Sequence, residues 1–230
     1  MEFAAHDRAI YLPSSETLVC ADFHVGRDTN SNIDVALGGH DDITSRFEML
    51  LEKHEPTEAV IAGDLLHSFD RIPTGAARTV RTIEQLADDA GCHVVITPGN
   101  HDTMLKELWD GSIVQEYPLG DGSIVVTHGH VIPETEAAWY IIGHDHPTIE
   151  IEGAGHPCYL HAPKQYDCAG VMMLPTFSRV PPGVVVNEMT ANEFLSPLIT
   201  DVSSIRPIVS DPNSDETYEF PRLGSLRQFL

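Results

Sequence analysis

Five short blocks of Asp, Asn and His stand at the ends of apolar runs. Asp22-Phe23-His24 follows Thr17-Leu18-Val19-Cys20-Ala21, and Gly63-Asp64 follows Val60-Ile61-Ala62. Asn100-His101-Asp102 follows Val94-Val95-Ile96-Thr97-Pro98-Gly99, and His128-Gly129-His130 follows Ile124-Val125-Val126-Thr127. The fifth, His144-Asp145-His146, follows Trp139-Tyr140-Ile141-Ile142-Gly143. Imidazole, carboxylate and amide oxygen, with no cysteine among them, are donors suited to Mn²⁺, Fe, Co²⁺ or Zn²⁺. Open α/β sheets place their ligands at the carboxyl ends of strands. Five strand ends carrying such residues along one edge describe a metal site. Ser14, Ser15 and the other serines show no Ser/His/Asp arrangement, which disfavours a serine nucleophile.

The elements that must position these blocks follow from hydrophobic periodicity. Ala9 to Leu12 and Thr17 to Ala21 read as strands joined by a turn at Pro13-Ser14-Ser15-Glu16. A polar, Gly-containing stretch from Gly26 to Asp42 reads as an active-site loop or lid. Ile43, Phe47, Leu50 and Leu51 fall at helical spacing, with Asp41 or Asp42 as N-cap. Ala76 to Ala90 is a second helix stopped by Gly91, and a short helix is expected near Met104 to Trp109. Beyond Ile113 the chain is mostly strands. Gly120-Asp121-Gly122 signals a hairpin between Ile113-Val114 and Ile124 to Thr127. Thr148 to Glu152 and much of Gly183 to Met189 alternate as strands do, and Ser210 to Glu219 reads as a mobile acidic segment. The expectation is one α/β domain over residues 1–230, a two-sheet β-sandwich flanked by helices.

Length and composition narrow the class. A chain of 230 residues can bury a full core. It carries 35 acidic against 13 basic residues, a net charge of −22, and only Lys53, Lys106 and Lys164 as lysines. Acidity argues against anionic membrane and, at face value, against nucleic acid. A salt-rich cytosol offers another cause, because screening shortens to ~3 Å at 1 M. That halophilic reading leaves a polyanionic substrate open. Cys20, Cys92, Cys158 and Cys168 form no Cys-x-x-Cys pair and read as free thiols of a reducing cytosol. With no signal-like start and no apolar run of about 18 residues, the expected location is cytoplasmic.

The five blocks, in this order, resemble those of the calcineurin-like metallophosphoesterase superfamily: Asp-x-His, Gly-Asp-x-x-(Asp/His), Gly-Asn-His-(Asp/Glu), His-Gly-His and Gly-His-x-His. The later segments Leu174-Pro175-Thr176-Phe177-Ser178 and Glu193-Phe194-Leu195-Ser196-Pro197-Leu198 resemble the SbcD-related archaeal phosphoesterases within it. The resemblance implies two divalent ions, Mn²⁺ the first choice. Asp22, His24 and His146 would hold one, Asn100, His128 and His144 the other, and Asp64 would bridge them. It implies hydrolysis of a phosphoester by metal-activated hydroxide, with DNA or nucleotide ends as substrate. His101 is then the candidate general acid, with Asp102 orienting its imidazole.

Weaker readings surround this set. Arg27 could hold a phosphate but is equally a surface arginine. His67 could touch the site, and His130 could support His128. Trp139-Tyr140 reads as strand core. Two other functions fit the same blocks: a small-molecule phosphatase or cyclic-nucleotide phosphodiesterase, and a non-catalytic metal-binding scaffold.

Overall fold

The computed structural model describes residues 1–27, 39–67, 72, 75–179, 183–212, 214 and 216–226. Most of the expected loop from Gly26 to Asp42, residues 28–38, lies outside the described residues.

Two sheets face each other. The first has the order β1 (Ala4–His6), β2 (Ala9–Leu12), β3 (Thr17–Cys20), β4 (Glu58–Ala62), β5 (His93–Thr97), β6 (Ser112–Ile113). The second is built from β7 (Tyr117–Leu119), β8 (Ile124–Val126), β9 (Trp139–Ile142), β12 (Tyr159–Ala162), β13 (Gly170–Met173), β15 (Arg206–Ser210) and β16 (Thr217–Glu219). Its spatial order is β16-β15-β12-β13-β9-β8-β7. A small third sheet pairs β10 (Pro147–Ile151) with β11 (Ala154–Pro157) and β14 (Val184–Val185).

The period of two explains how the sheets stack. Val19, Ala21, Val60, Ala62 and Val95 of the first sheet meet Val126, Ile141, Met172 and Leu174 of the second in one buried layer. The alternate residues Leu18, Cys20, Ala59, Ile61, Val94 and Ile96 turn outward against helices α1 (His40–His54) and α2 (Ala76–Asp89). The outer face of the second sheet is covered differently. Phe194, Leu198, Ile205 and Leu223, from irregular segments and the single turn α3 (Leu223–Leu226), pack on Tyr140, Ile142, Val171 and Met173. The sandwich is as expected, but both long helices flank one sheet.

Several local expectations are corrected. Gly39, not Asp41 or Asp42, is the N-cap of α1; the two aspartates sit in its first turn, where they complement the helix dipole. The short helix is a single 3₁₀ turn, Leu105–Glu107. The Gly120–Gly122 hairpin joins β7 to β8, whereas Ser112–Ile113 pairs in parallel with β5 in the first sheet. Within the acidic segment, Thr217–Glu219 is an edge strand on β15. All four cysteines are free, three of them buried.

Candidate metal centre

Strands β3, β4 and β5 are parallel neighbours, so Asp22, Asp64 and Asn100 leave the sheet side by side. In the second sheet β8 and β9 are parallel and deliver His128 and His144. The turns are stitched to one another. Asp22 N–H donates to Gly63 O at 3.1 Å, and His24 N–H to Asp64 O at 2.9 Å. His101 N–H donates to Asp64 Oδ1, and His144 N–H to Asp22 Oδ2, both at 2.9 Å. A Cβ at Gly63 would collide with the His128 ring, and one at Gly99 with the Asp64 carboxylate. Asp22, His24, Asp64, His144 and His146 all have left-handed backbone, φ +47° to +79°. That is uncommon for residues with a side chain and concentrates at functional sites.

Two donor groups result. Ligand atoms of Asp22, His24 and His146 lie within 4.8 Å of one another, and so do those of Asp22, Asp64 and His128. His24 Nε2 and His146 Nε2 are 2.9 Å apart, and His146 Nε2 is 3.5 Å from Asp22 Oδ1. His128 Nδ1 is 3.1 Å from Ala62 O; donating there fixes the tautomer and leaves a lone pair on Nε2. That Nε2 lies 3.2 Å from Asn100 Oδ1 and 3.6 Å from Asp64 Oδ1. His144 packs its ring edge-on against His128, with centroids 4.9 Å apart. The carboxylate common to both groups is Asp22, whereas the resemblance gives the bridge to Asp64.

Burial sets the charges. It pushes the Asp22 carboxyl up, but His146, His128 and His24 outweigh it and bring the pKa down to about 2. Asp64 is driven up to about 8 by burial and by the charge on Asp22. Burial lowers His24 to about 2, against the pull of Asp22; it lowers His144, aided by His128, to about 4. At neutral pH His24 and His144 are therefore neutral imidazoles that offer lone pairs. Asp22 Oδ1 is buried and has no hydrogen-bond partner among the described residues. Converging lone pairs around a buried carboxylate oxygen fit a divalent cation.

The other expected residues fall as follows. His101 is about one-fifth exposed, with Nε2 3.9 Å from Asp64 Oδ2. His67 lies parallel to it, with 19° between the rings and 5.1 Å between centroids, so His67 does reach the site. Asp102 is buried and accepts from Gly99, Leu65 and Leu66 N–H at 2.9, 3.3 and 2.9 Å. Its carboxylate holds two turns together. Arg27 lies close enough for its charge to help lower the pKa of both His67 and His101. His130 packs on His128 at 5.1 Å.

Asp145 is the residue the sequence reading passed over. It stands between two donor histidines, is 2% exposed, and accepts Leu195 N–H at 2.7 Å and Ser196 N–H at 3.0 Å. Ser196 Oγ donates in turn to Gly129 O at 2.7 Å. The segment around Ser196 thus clamps the turns carrying His128 and His144. The alternation of Asp145 with His144 and His146 was visible, but its partners lie 50 residues on.

No curated protein matches this chain. Among solved structures, the crystal structure of the nuclease MPE from Pseudomonas putida aligns with 90% of this chain and 96% of its own, with a TM-score of 0.61 and 24% identity. That likeness shows a shared fold. A family model described as calcineurin-like phosphoesterase matches residues 16–149, which hold all five blocks and more than half of the chain. The chain belongs to the calcineurin-like phosphoesterase family.

Proposed function

We propose that this protein is a binuclear-metal phosphodiesterase acting on nucleic-acid ends, akin to the SbcD-related group. The observation that carries the reading is the buried Asp22 carboxylate, common to both donor groups, whose Oδ1 takes no hydrogen bond among the described residues. Asp22, His24 and His146 would hold one cation and Asn100, His128 and His144 the other, with Asp64 the carboxylate the resemblance gives to both. Mn²⁺ suits this oxygen and imidazole set. Bound cations would supply acidification of a water and neutralisation of phosphoryl charge. The fold shared with a nuclease supports nucleic acid as substrate.

The chain's own groups complete the reaction. His101, held beside Asp64 through its backbone N–H, donates its ring N–H to the leaving oxygen. Burial, with His67 second, lowers its pKa to about 4; an adjacent phosphodiester anion opposes that shift and favours the protonated ring. Asp102 fixes the turn that carries His101. Arg27 contributes positive charge on the side of His67 and His101.

The test is hydrolysis by Mn²⁺-loaded protein of an aryl phosphodiester, the matching monoester and a single-stranded oligonucleotide. Cleavage of the diester and the oligonucleotide, lost with chelator, is expected. Preference for the monoester would instead support a small-molecule phosphatase, and no turnover of any would support a scaffold.

A further inference from the structure

The edge that carries the donor residues continues past them. In the first sheet Ala9 pairs with Cys20, which brings Arg8 to the end where Asp22 emerges. In the second, β13 is parallel to β9, β12 antiparallel to β13, and β15 antiparallel to β12. The same edge therefore receives Pro175 after β13, Tyr159 at the start of β12 and Ser210 at the end of β15. A cavity of about 430 Å³ opens there, lined by Asp7, Arg8, His156, Tyr159, Arg179 and Ser210 among others. Two interstrand spacings of about 4.8 Å separate the β9 end from the β12 start, roughly 10 Å in all.

One segment joins the cavity to the metal centre. Thr176 Oγ1 donates to Asp22 O at 2.8 Å, and Arg8 Nη1 donates to Thr176 O and Ser178 O, both at 2.9 Å.

The charge balance of the cavity runs against that of the chain. Arg46 is buried and takes Asp7 through Nε at 2.8 Å and Asp42 through both terminal nitrogens. Arg179, half exposed, shares Asp42 at 3.4 Å. Arg8 and Arg179 line the cavity with Asp7, and behind them Arg46 and Asp42 bring the cluster to three guanidinium groups and two carboxylates, in a chain of net charge −22. Arg8 makes no ion pair among the described residues; its bonds are those two carbonyls, which leaves Nε and Nη2 as donors for a ligand. Burial and Arg46 lower its pKa to about 10, so it stays a cation at neutral pH.

We propose that this cavity is a second phosphate subsite, in which Arg8 and Arg179 bind a backbone phosphate of a polynucleotide whose scissile phosphodiester lies at the metal centre. This rests on the phosphodiesterase reading above. The separation selects the ligand class: a molecule with one phosphate can occupy one position only, whereas a strand of a few nucleotides reaches both.

The experiment compares kcat/KM for a short single-stranded oligonucleotide with that for a one-phosphate aryl diester, in Mn²⁺-loaded wild type, Arg8→Gln and Arg179→Gln. The ratio of oligonucleotide to aryl diester should fall about tenfold in each variant, as for loss of a charge-assisted hydrogen bond. The dependence of log(kcat/KM) on log[salt] for the oligonucleotide should flatten by about 0.7 per lost contact. Arg8→Gln gives up two internal bonds; if it fails to fold, Arg179→Gln at the half-exposed position decides alone. Wild type that does not cleave the oligonucleotide overturns the nucleic-acid reading and the subsite with it. Wild type that cleaves both substrates, with the ratio unmoved in the folded variants, overturns the subsite alone.

Discussion

The Nε2 atoms of His24 and His146, 122 residues apart in the chain, approach to 2.9 Å beside the buried Oδ1 of Asp22, 3.5 Å from His146 Nε2. One nitrogen comes from the first sheet and one from the second, so the sandwich itself assembles the donor group. A cation between these atoms would stabilise the closure of the two sheets at this edge.

Metal content separates the two carboxylates. His146→Ala should lose one ion per chain and keep the other. Asp64→Ala, without the proposed bridge, should lose both, and hydrolysis should fall to background. Elemental analysis of purified variants measures this. If Asp22→Ala loses both ions while Asp64→Ala keeps one, the bridge belongs to Asp22, the carboxylate common to both donor groups.

His101→Asn should keep both ions and slow turnover by ~10²–10⁴, the usual worth of a general acid. The loss should be larger for a nucleoside or alkyl ester than for an aryl ester, whose acidic phenol needs little protonation. Equal losses would assign His101 to the phosphoryl oxygens instead. Loss of metal would make it a ligand.

Asp145→Ala leaves the N–H groups of Leu195 and Ser196 without their acceptor, the one at Ser196 buried. The buried one costs roughly 1–3 kcal/mol, to be read from urea unfolding. The histidines on either side should lose their fixed orientation, and metal affinity should drop by about 10–100-fold, as for other outer-sphere changes. Wild-type stability and affinity in this variant would remove the clamp from the account.

Charge gives a prediction for the whole chain. With a net charge of −22, self-repulsion should destabilise the fold in dilute buffer and be screened in concentrated KCl. Thermal unfolding should shift to higher temperature between low and molar salt. A flat or falling curve would leave the acidity without a halophilic cause.

How much was legible in the sequence follows from the range of each signal. Leu18 and Val19, facing opposite sides of the first sheet, carry the period of two within a few residues. The blocks at strand ends inherit that clarity, and their order carried the family. Contacts between distant segments left no local pattern. Asp102 reads as a partner for its neighbour His101, and nothing local announces that its carboxylate also accepts backbone N–H groups some 36 residues earlier. Asp145 and Ser196 are ordinary polar residues until the second sheet brings them together. Ser112–Ile113 is too short for periodicity to say which sheet it joins, and pairing with β5 decided that.

The most direct test is hydrolysis against metal content. Chelated, metal-free protein is titrated with Mn²⁺ while bound ions per chain and cleavage of an aryl phosphodiester are followed together. The account predicts no cleavage without metal, activity rising to a plateau at two ions per chain, and neither binding nor activity in Asp64→Ala. Cleavage by the metal-free protein, or full activity with one ion bound, would contradict it.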